Sequence, residues 1–196
     1  MHPLPYGFSR VNLTPLTQVK PIDTAGALTD WAVSTGAFKR NKASPKRKVV
    51  AAALCNGGFS YREVSSMVGG ISHVAARDAY LSLVTSLPPE ERKFRREVAI
   101  DGSEVELDGR SYYIWLARDV DSGDFLSFQG SPTGSAEDGS RFLAAVAAQC
   151  SNKPVVRLGS EPNPPKGLLN LDLYFQSSPS SSLIDRISRI FLGGAS

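Results

Sequence analysis

VAIDGSEVELDGRSYYIWLARDVDSGDFL, residues 98–126, is the stretch on which the fold turns. Glu97 to Leu107 alternates or runs apolar through Val98, Ile100, Val105 and Leu107, as a half-buried strand does. Asp108-Gly109 follows, a hairpin signal because both central residues of the tight turn need positive φ. Ser111 to Asp119 returns as a second strand through Tyr112, Tyr113, Ile114, Trp115 and Leu116. Asp121-Ser122-Gly123 turns the chain again, into a third strand from Phe125 to Gln129. Ser135 is placed to cap a helix from about Ala136 to Cys150, with Phe142, Leu143, Val146 and Ala147 inward. Pro154 to Leu158 is a short apolar strand, which completes the order β-β-β-α-β.

Upstream the period changes from two to that of helices. Residues 1–22 carry Pro3, Pro5, Pro15 and Pro21 and read as an extended arm. Asp23 or Thr24 caps a short helix to about Thr35, with Leu28, Trp31 and Ala32 on one face, and Gly36 ends it. A basic linker follows. Pro45 to Asn56 predicts a helix with Val49, Val50, Ala53 and Leu54 on one side, stopped at Gly57-Gly58. Ser60 and Glu63 form a capping box for a second helix carrying Val64, Met67 and Val68. After Gly69-Gly70, Ser72 caps a third through about Thr85, with Ala75, Ala76, Ala79, Leu83 and Val84 toward its partners. Two short helices, a glycine turn and a following helix describe a helix-turn-helix, with Ser72, His73, Arg77 and Asp78 facing outward. A plain helical bundle has the same pattern. Leu87-Pro88-Pro89 breaks the helical run. The expected organisation is an arm, short helix and basic linker over 1–44, a helix-turn-helix domain over 45–88 and an incomplete ribonuclease-H-like domain over 89–196. The fold class is α+β or α/β.

Charge divides the chain the same way. Residues 1–100 hold 14 Lys/Arg against 7 Asp/Glu, and residues 101–196 hold 8 against 12. Two basic knots stand out: Lys39, Arg40, Lys42, Lys46, Arg47 and Lys48, then Arg92, Lys93, Arg95 and Arg96. Two such knots flanking helices joined by a glycine turn point to a polyanion, and DNA is the expected partner. Cys55 and Cys150 lie too far apart for a metal-binding CxxC pair, and His2 and His73 leave little for a histidine site. No apolar run reaches membrane-spanning length, and the first residues lack the basic and apolar regions of a secretory signal. A cytoplasmic, nucleoid-associated protein is the expectation. Asp101 stands inside the first strand, where aspartate is disfavoured and needs a reason; Glu104, Glu106 and Asp108 share a face that reads as solvated.

The quoted stretch resembles the opening of the catalytic domain of DDE-type transposases from short prokaryotic insertion sequences. The similarity rests on Asp101, Val105, Gly109, Tyr113, Ala117, Asp119 and Asp121, and continues through SAEDGSRFLAAVAAQCSNKPVVRLGSEPNPPKGLLNL, covering roughly residues 45–190. The resemblance implies a ribonuclease-H-like site in which three acids hold two magnesium or manganese ions. Asp101 stands at the first acid. The family's second acid falls on Gly159, which offers no carboxylate; Glu161 is the nearest substitute, and a poor one. The third falls on Asp185 in SSLIDRISRIF, one methylene shorter than the family's glutamate. The chain then stops at Ser196, where that family continues, so it looks both truncated and altered. The implied function is a transposase-derived DNA-binding protein without strand transfer and needing no cofactor. The alternatives are an active metal-dependent transposase or nuclease using Asp101, Glu161 and Asp185, and a scaffold or ribonucleoprotein component reusing the fold. A helix from about Ser182 to Leu192, with Leu183, Ile184, Ile187, Ile190 and Phe191, either packs on the core or makes a homodimer.

Overall fold

The structure is a computed structural model that describes residues 23–38, 42–89 and 91–158. Its elements, in chain order, are α1 (Thr24–Ser34), α2 (Pro45–Asn56), α3 (Tyr61–Val68), α4 (His73–Ser86), β1 (Glu97–Leu107), β2 (Arg110–Asp119), β3 (Phe125–Ser131), α5 (Ala136–Ala148) and β4 (Val155–Leu158). The protein is therefore mixed α and β, with five helices and one four-stranded sheet among the described residues. The strand order is β3-β2-β1-β4, with β1, β2 and β3 antiparallel and β4 parallel to β1.

Local chemistry sets most of these boundaries. Asp23, Ser44, Ser60, Ser72 and Ser135 each accept a backbone N–H from the first turn of their helix. At Ser60 the box is reciprocal, since Glu63 accepts the Ser60 N–H at 2.8 Å. Asp108 (φ 52) and Gly109 (φ 72) make the two-residue hairpin turn that joins Leu107 to Arg110. Four ends differ from expectation, and one of them is β4, which starts at Val155 rather than Pro154. β2 starts one residue earlier, because Arg110 pairs with Leu107. β3 runs two residues further, because Gly130 and Ser131 pair with Ile114 and Tyr113. α5 stops short of Cys150, because Cys150 leaves the helix to bridge to Lys93.

Strand alternation sends side chains to two cores. Val98, Ile100, Trp115, Ala117, Leu126 and Val156 meet Phe142, Leu143 and Val146 of α5 on one face. On the other, Val105, Tyr112, Ile114, Leu116 and Phe128 share a core with α1 to α4. The N-terminal helices and the sheet are thus continuous, although the sequence separates them at Leu87-Pro88-Pro89.

α2 is the centre of that second core. Every residue from Lys48 to Cys55 is buried, more than the one face that the apolar spacing predicts. A helix buried all round must have small residues where neighbours come close, and Ala51, Ala52 and Ala53 supply them. Its C-terminal end rests on β3 backbone to backbone. A Cβ on Gly130 would lie 2.8 Å from the Leu54 nitrogen and 3.0 Å from the Ala53 Cβ, and one on Gly57 would overlap the Gly130 carbonyl oxygen. Asn56 donates to the Phe128 carbonyl, and Arg141 of α5 donates to the Gly57 carbonyl at 3.2 Å.

Candidate functional site

The end of α3 and the glycine turn after it lie against three side chains, Arg110 and Tyr112 of β2 and Arg47 of α2. Arg110 donates to the Met67 carbonyl at 2.5 Å, and Tyr112 donates to the same oxygen at 2.7 Å. The last carbonyls of a helix have no intrahelical partner, so these donors anchor the end of α3. Arg47 pairs with Asp108 at the hairpin, and its guanidinium lies where a Cβ on Gly70 would fall. Gly70 has φ 56 and faces that guanidinium, so a side chain there meets both strain and overlap. Beyond the turn, Ser72, His73, Arg77 and Asp78 are all exposed at the start of α4, as expected. Val74 is exposed beside them at 53%, and Arg62 on the first turn of α3 is exposed too. Neither was singled out in the sequence. Arg62 is an isolated cation outside both knots, and Val74 reads there as an ordinary helix residue.

The two basic knots divide into surface and scaffold. Lys39 and Arg40 lie outside the described residues. Lys42 and Lys46 are exposed. Arg47 is spent on Asp108, and Lys48 is 7% exposed with its ammonium 5.0 Å from the centre of the Phe38 ring. Burial pulls the Lys48 ammonium below its ordinary value. In the second knot, Arg95 is 4% exposed and paired with Asp119 at 2.5 Å. Burial alone would raise the Asp119 carboxyl, but the Arg95 guanidinium and the amides of Asp121 and Ser122 outweigh it and hold it below the usual range. Arg96 pairs with Asp121 at 2.5 Å on the surface, and Arg92 donates to the Cys150 carbonyl at 3.0 Å. Lys93 is exposed. Lys48 and Arg95, expected to face a polyanion, therefore have their charges inside the fold, and Arg47, half-buried, is paired at the surface with Asp108 of the hairpin.

Asp101 sits mid-strand in β1, 8% exposed, opposite Leu116 and on the face shared with α1. Two residues on, the Ser103 hydroxyl accepts the Thr24 N–H at 3.2 Å, so the start of α1 lies over this part of the strand. Burial pushes the Asp101 carboxyl above its ordinary value, and Arg118 on β2 offsets part of the rise. Gly159, Glu161 and Asp185 lie outside the described residues. A two-cation site needs several carboxylates converging. Asp101 is a single one with a guanidinium nearby, and among the described residues no group of three or more His, Cys, Asp or Glu could hold a metal ion. Glu104, Glu106 and Asp108 are exposed, and Asp108 is the partner of Arg47. No helix among the described residues is long and apolar enough to cross a membrane.

The chain is similar to the uncharacterized protein MJ0017 of Methanocaldococcus jannaschii, with 33% identity over 142 residues. That alignment covers 71% of this chain, and the chain spans 66% of the relative's length. No family model matches the chain, and no solved structure matches it.

Proposed function

We propose that this protein is a transposase-derived DNA-binding protein that keeps a helix-turn-helix and a ribonuclease-H-like scaffold and has lost metal-dependent strand transfer. The observation that carries the reading is α4. Its first two turns, behind the Gly69-Gly70 turn, expose Ser72, His73 and Arg77, the last 3.6 Å from the Asp78 carboxylate, while Ala76, Ala79 and Leu83 are buried. A helix with one face packed and a polar, cationic N-terminal turn exposed is what a major groove accepts. Arg77 can read guanine, and Ser72 and His73 can contact base edges or phosphates. Lys42, Lys46 and Arg62 supply further exposed cations for the backbone.

The scaffold half of the proposal rests on the sheet. The order β3-β2-β1-β4, with α5 leading from β3 to a β4 parallel to β1, supports the reading as the first half of a ribonuclease-H-like domain. The last described pair of the β1–β4 ladder, Ile100 with Leu158, immediately precedes Asp101 on one strand and Gly159 in the sequence of the other. That supports the alignment of Gly159 with the missing acid. Loss of a ligand from a two-metal centre removes most of its rate.

Fluorescence anisotropy with a labelled duplex tests the binding. Four phosphate contacts give a slope of about −3 to −4 in log K against log salt, so affinity should fall roughly a hundredfold between about 50 and 200 mM. A flat response refutes the proposal. Metal-dependent DNA cleavage that disappears in Asp101→Ala would refute the loss of catalysis.

A further inference from the structure

We propose that Phe94 is a stacking platform for an unpaired nucleobase, with Arg92 and Lys93 beside it in the chain for the phosphates, so that this edge of the protein takes single-stranded DNA. The inference rests on the DNA-binding reading above and adds a second surface, remote in sequence from α4. Phe94 is 71% exposed, more than Val33, Val74 or Leu81, the other exposed large hydrophobics among the described residues. The ring stands in water with exposed cations before it in the chain, the pairing of a π-face and positive charge that single-stranded nucleic acid uses.

The segment beneath the ring is held on both sides. Lys93 donates its N–H to the Gln149 carbonyl at 3.3 Å and accepts from Ser151 at 3.0 Å. Asn152 takes the Arg95 N–H at 2.9 Å and donates to the Arg95 carbonyl at 2.8 Å. The Arg95 side chain then turns inward to Asp119. The residues before and after Phe94 are therefore pinned, and the ring is presented from a fixed backbone, which lowers the entropic cost of stacking.

Its surroundings decide the kind of partner. Arg92 and Lys93 precede it and are exposed, Arg92 keeping its remaining guanidinium N–H groups while its Nε donates to the Cys150 carbonyl at 3.0 Å. Arg96 is exposed and paired with Asp121, and Glu91 is the exposed carboxylate of the 91–96 segment. No second exposed large hydrophobic lies on this segment; Val33 belongs to α1, and Val74 and Leu81 to α4. An apolar protein surface would find one ring and several cations. A single strand finds a π-face for a base and positive charge for its phosphates. Duplex bases are already stacked and offer this ring nothing.

The test is anisotropy with labelled oligo(dT) and a duplex of equal length, on wild type, Phe94→Ala, Phe94→Leu and Phe94→Trp. Removing one stacked base contact should weaken oligo(dT) binding about tenfold in Phe94→Ala. Phe94→Leu should lose as much, because leucine is apolar but has no π-face. Duplex binding should be unchanged in both, and oligo(dT) should quench the added emission of Phe94→Trp. Wild-type affinity in Phe94→Leu, or equal losses on both ligands, overturns the platform. So does a changed oligomeric state of Phe94→Ala with unchanged affinity, which makes the ring a protein contact. Duplex binding without any effect at Phe94 overturns this inference alone, whereas no binding to either ligand overturns both readings.

Discussion

Replacing Gly130 by alanine tests whether α2 is seated on β3 as described. Gly130 has no positive φ, so alanine meets no backbone strain there and the cost is one of space. The added methyl would lie 2.8 Å from the Leu54 nitrogen, 2.9 Å from the Ala53 carbonyl carbon and 3.0 Å from the Ala53 Cβ. Comfortable carbon contacts are about 3.5–4.0 Å. Two of the three opposing atoms are backbone, so no side-chain rotation relieves them. α2 must lift by several tenths of an ångström, against Ser44 and Asn56 that fix its two ends. Overpacking of this kind costs about 1–3 kcal/mol. The loss of unfolded-state freedom on replacing glycine returns about 0.4–1 kcal/mol. The net destabilisation is about 1–2 kcal/mol, or roughly 2–8 °C in Tm for a chain of this size. Urea unfolding followed by far-UV circular dichroism measures it. Cys55, near the end of the displaced helix, should also react faster with a thiol reagent. A variant as stable as wild type, with no gain in Cys55 reactivity, would show that α2 does not rest on Gly130.

Three further outcomes follow from the buried groups. Arg95→Ala strands the Asp119 carboxylate and should cost about 3–5 kcal/mol at neutral pH. Because Asp119 sits below its ordinary value, the pair stabilises the wild type above the usual carboxylate range and that stability is lost as pH falls through the depressed value; an acid titration of Tm should be flatter in the variant. Asp101→Asn has the opposite sign. A raised carboxyl binds its proton more tightly when folded, so the wild type loses stability as pH rises from the unfolded to the folded value, and the variant should have the higher Tm at neutral pH but not at about pH 3. Cys55 is pushed up to about 11 by burial and Cys150 is raised by the same cause, so in Ellman's assay both should react only as the chain opens, and at full rate in denaturant.

Ser44, Ser60, Ser72 and Ser135 stand one residue before the helices they cap, and Asp108-Gly109 stands where the hairpin turns. These signals are local: a cap or a tight turn is made by neighbours in the chain, so a reader of residues can find it. Asp101 is also visible to such a reader, since aspartate in a run of β-formers is costly wherever it lies. The exposed start of α4 is readable for the same reason, because Ala76, Ala79 and Leu83 mark the buried face by spacing alone.

What a basic residue does is another matter. Lys46, Arg47 and Lys48 are consecutive and chemically alike, yet one is exposed, one is paired with Asp108 and one lies over Phe38. Arg95 and Phe94 are neighbours, one sealed against Asp119 and the other in water. The amino-acid sequence by itself determined the elements, their caps and the places where charge collects, because those depend on residues a few positions apart. Only the tertiary structure decided which charges remain for a partner and that the helices share a core with the sheet. Those outcomes depend on atoms brought together from tens of residues away, through contacts such as Gly57 with Gly130 that have no local signature.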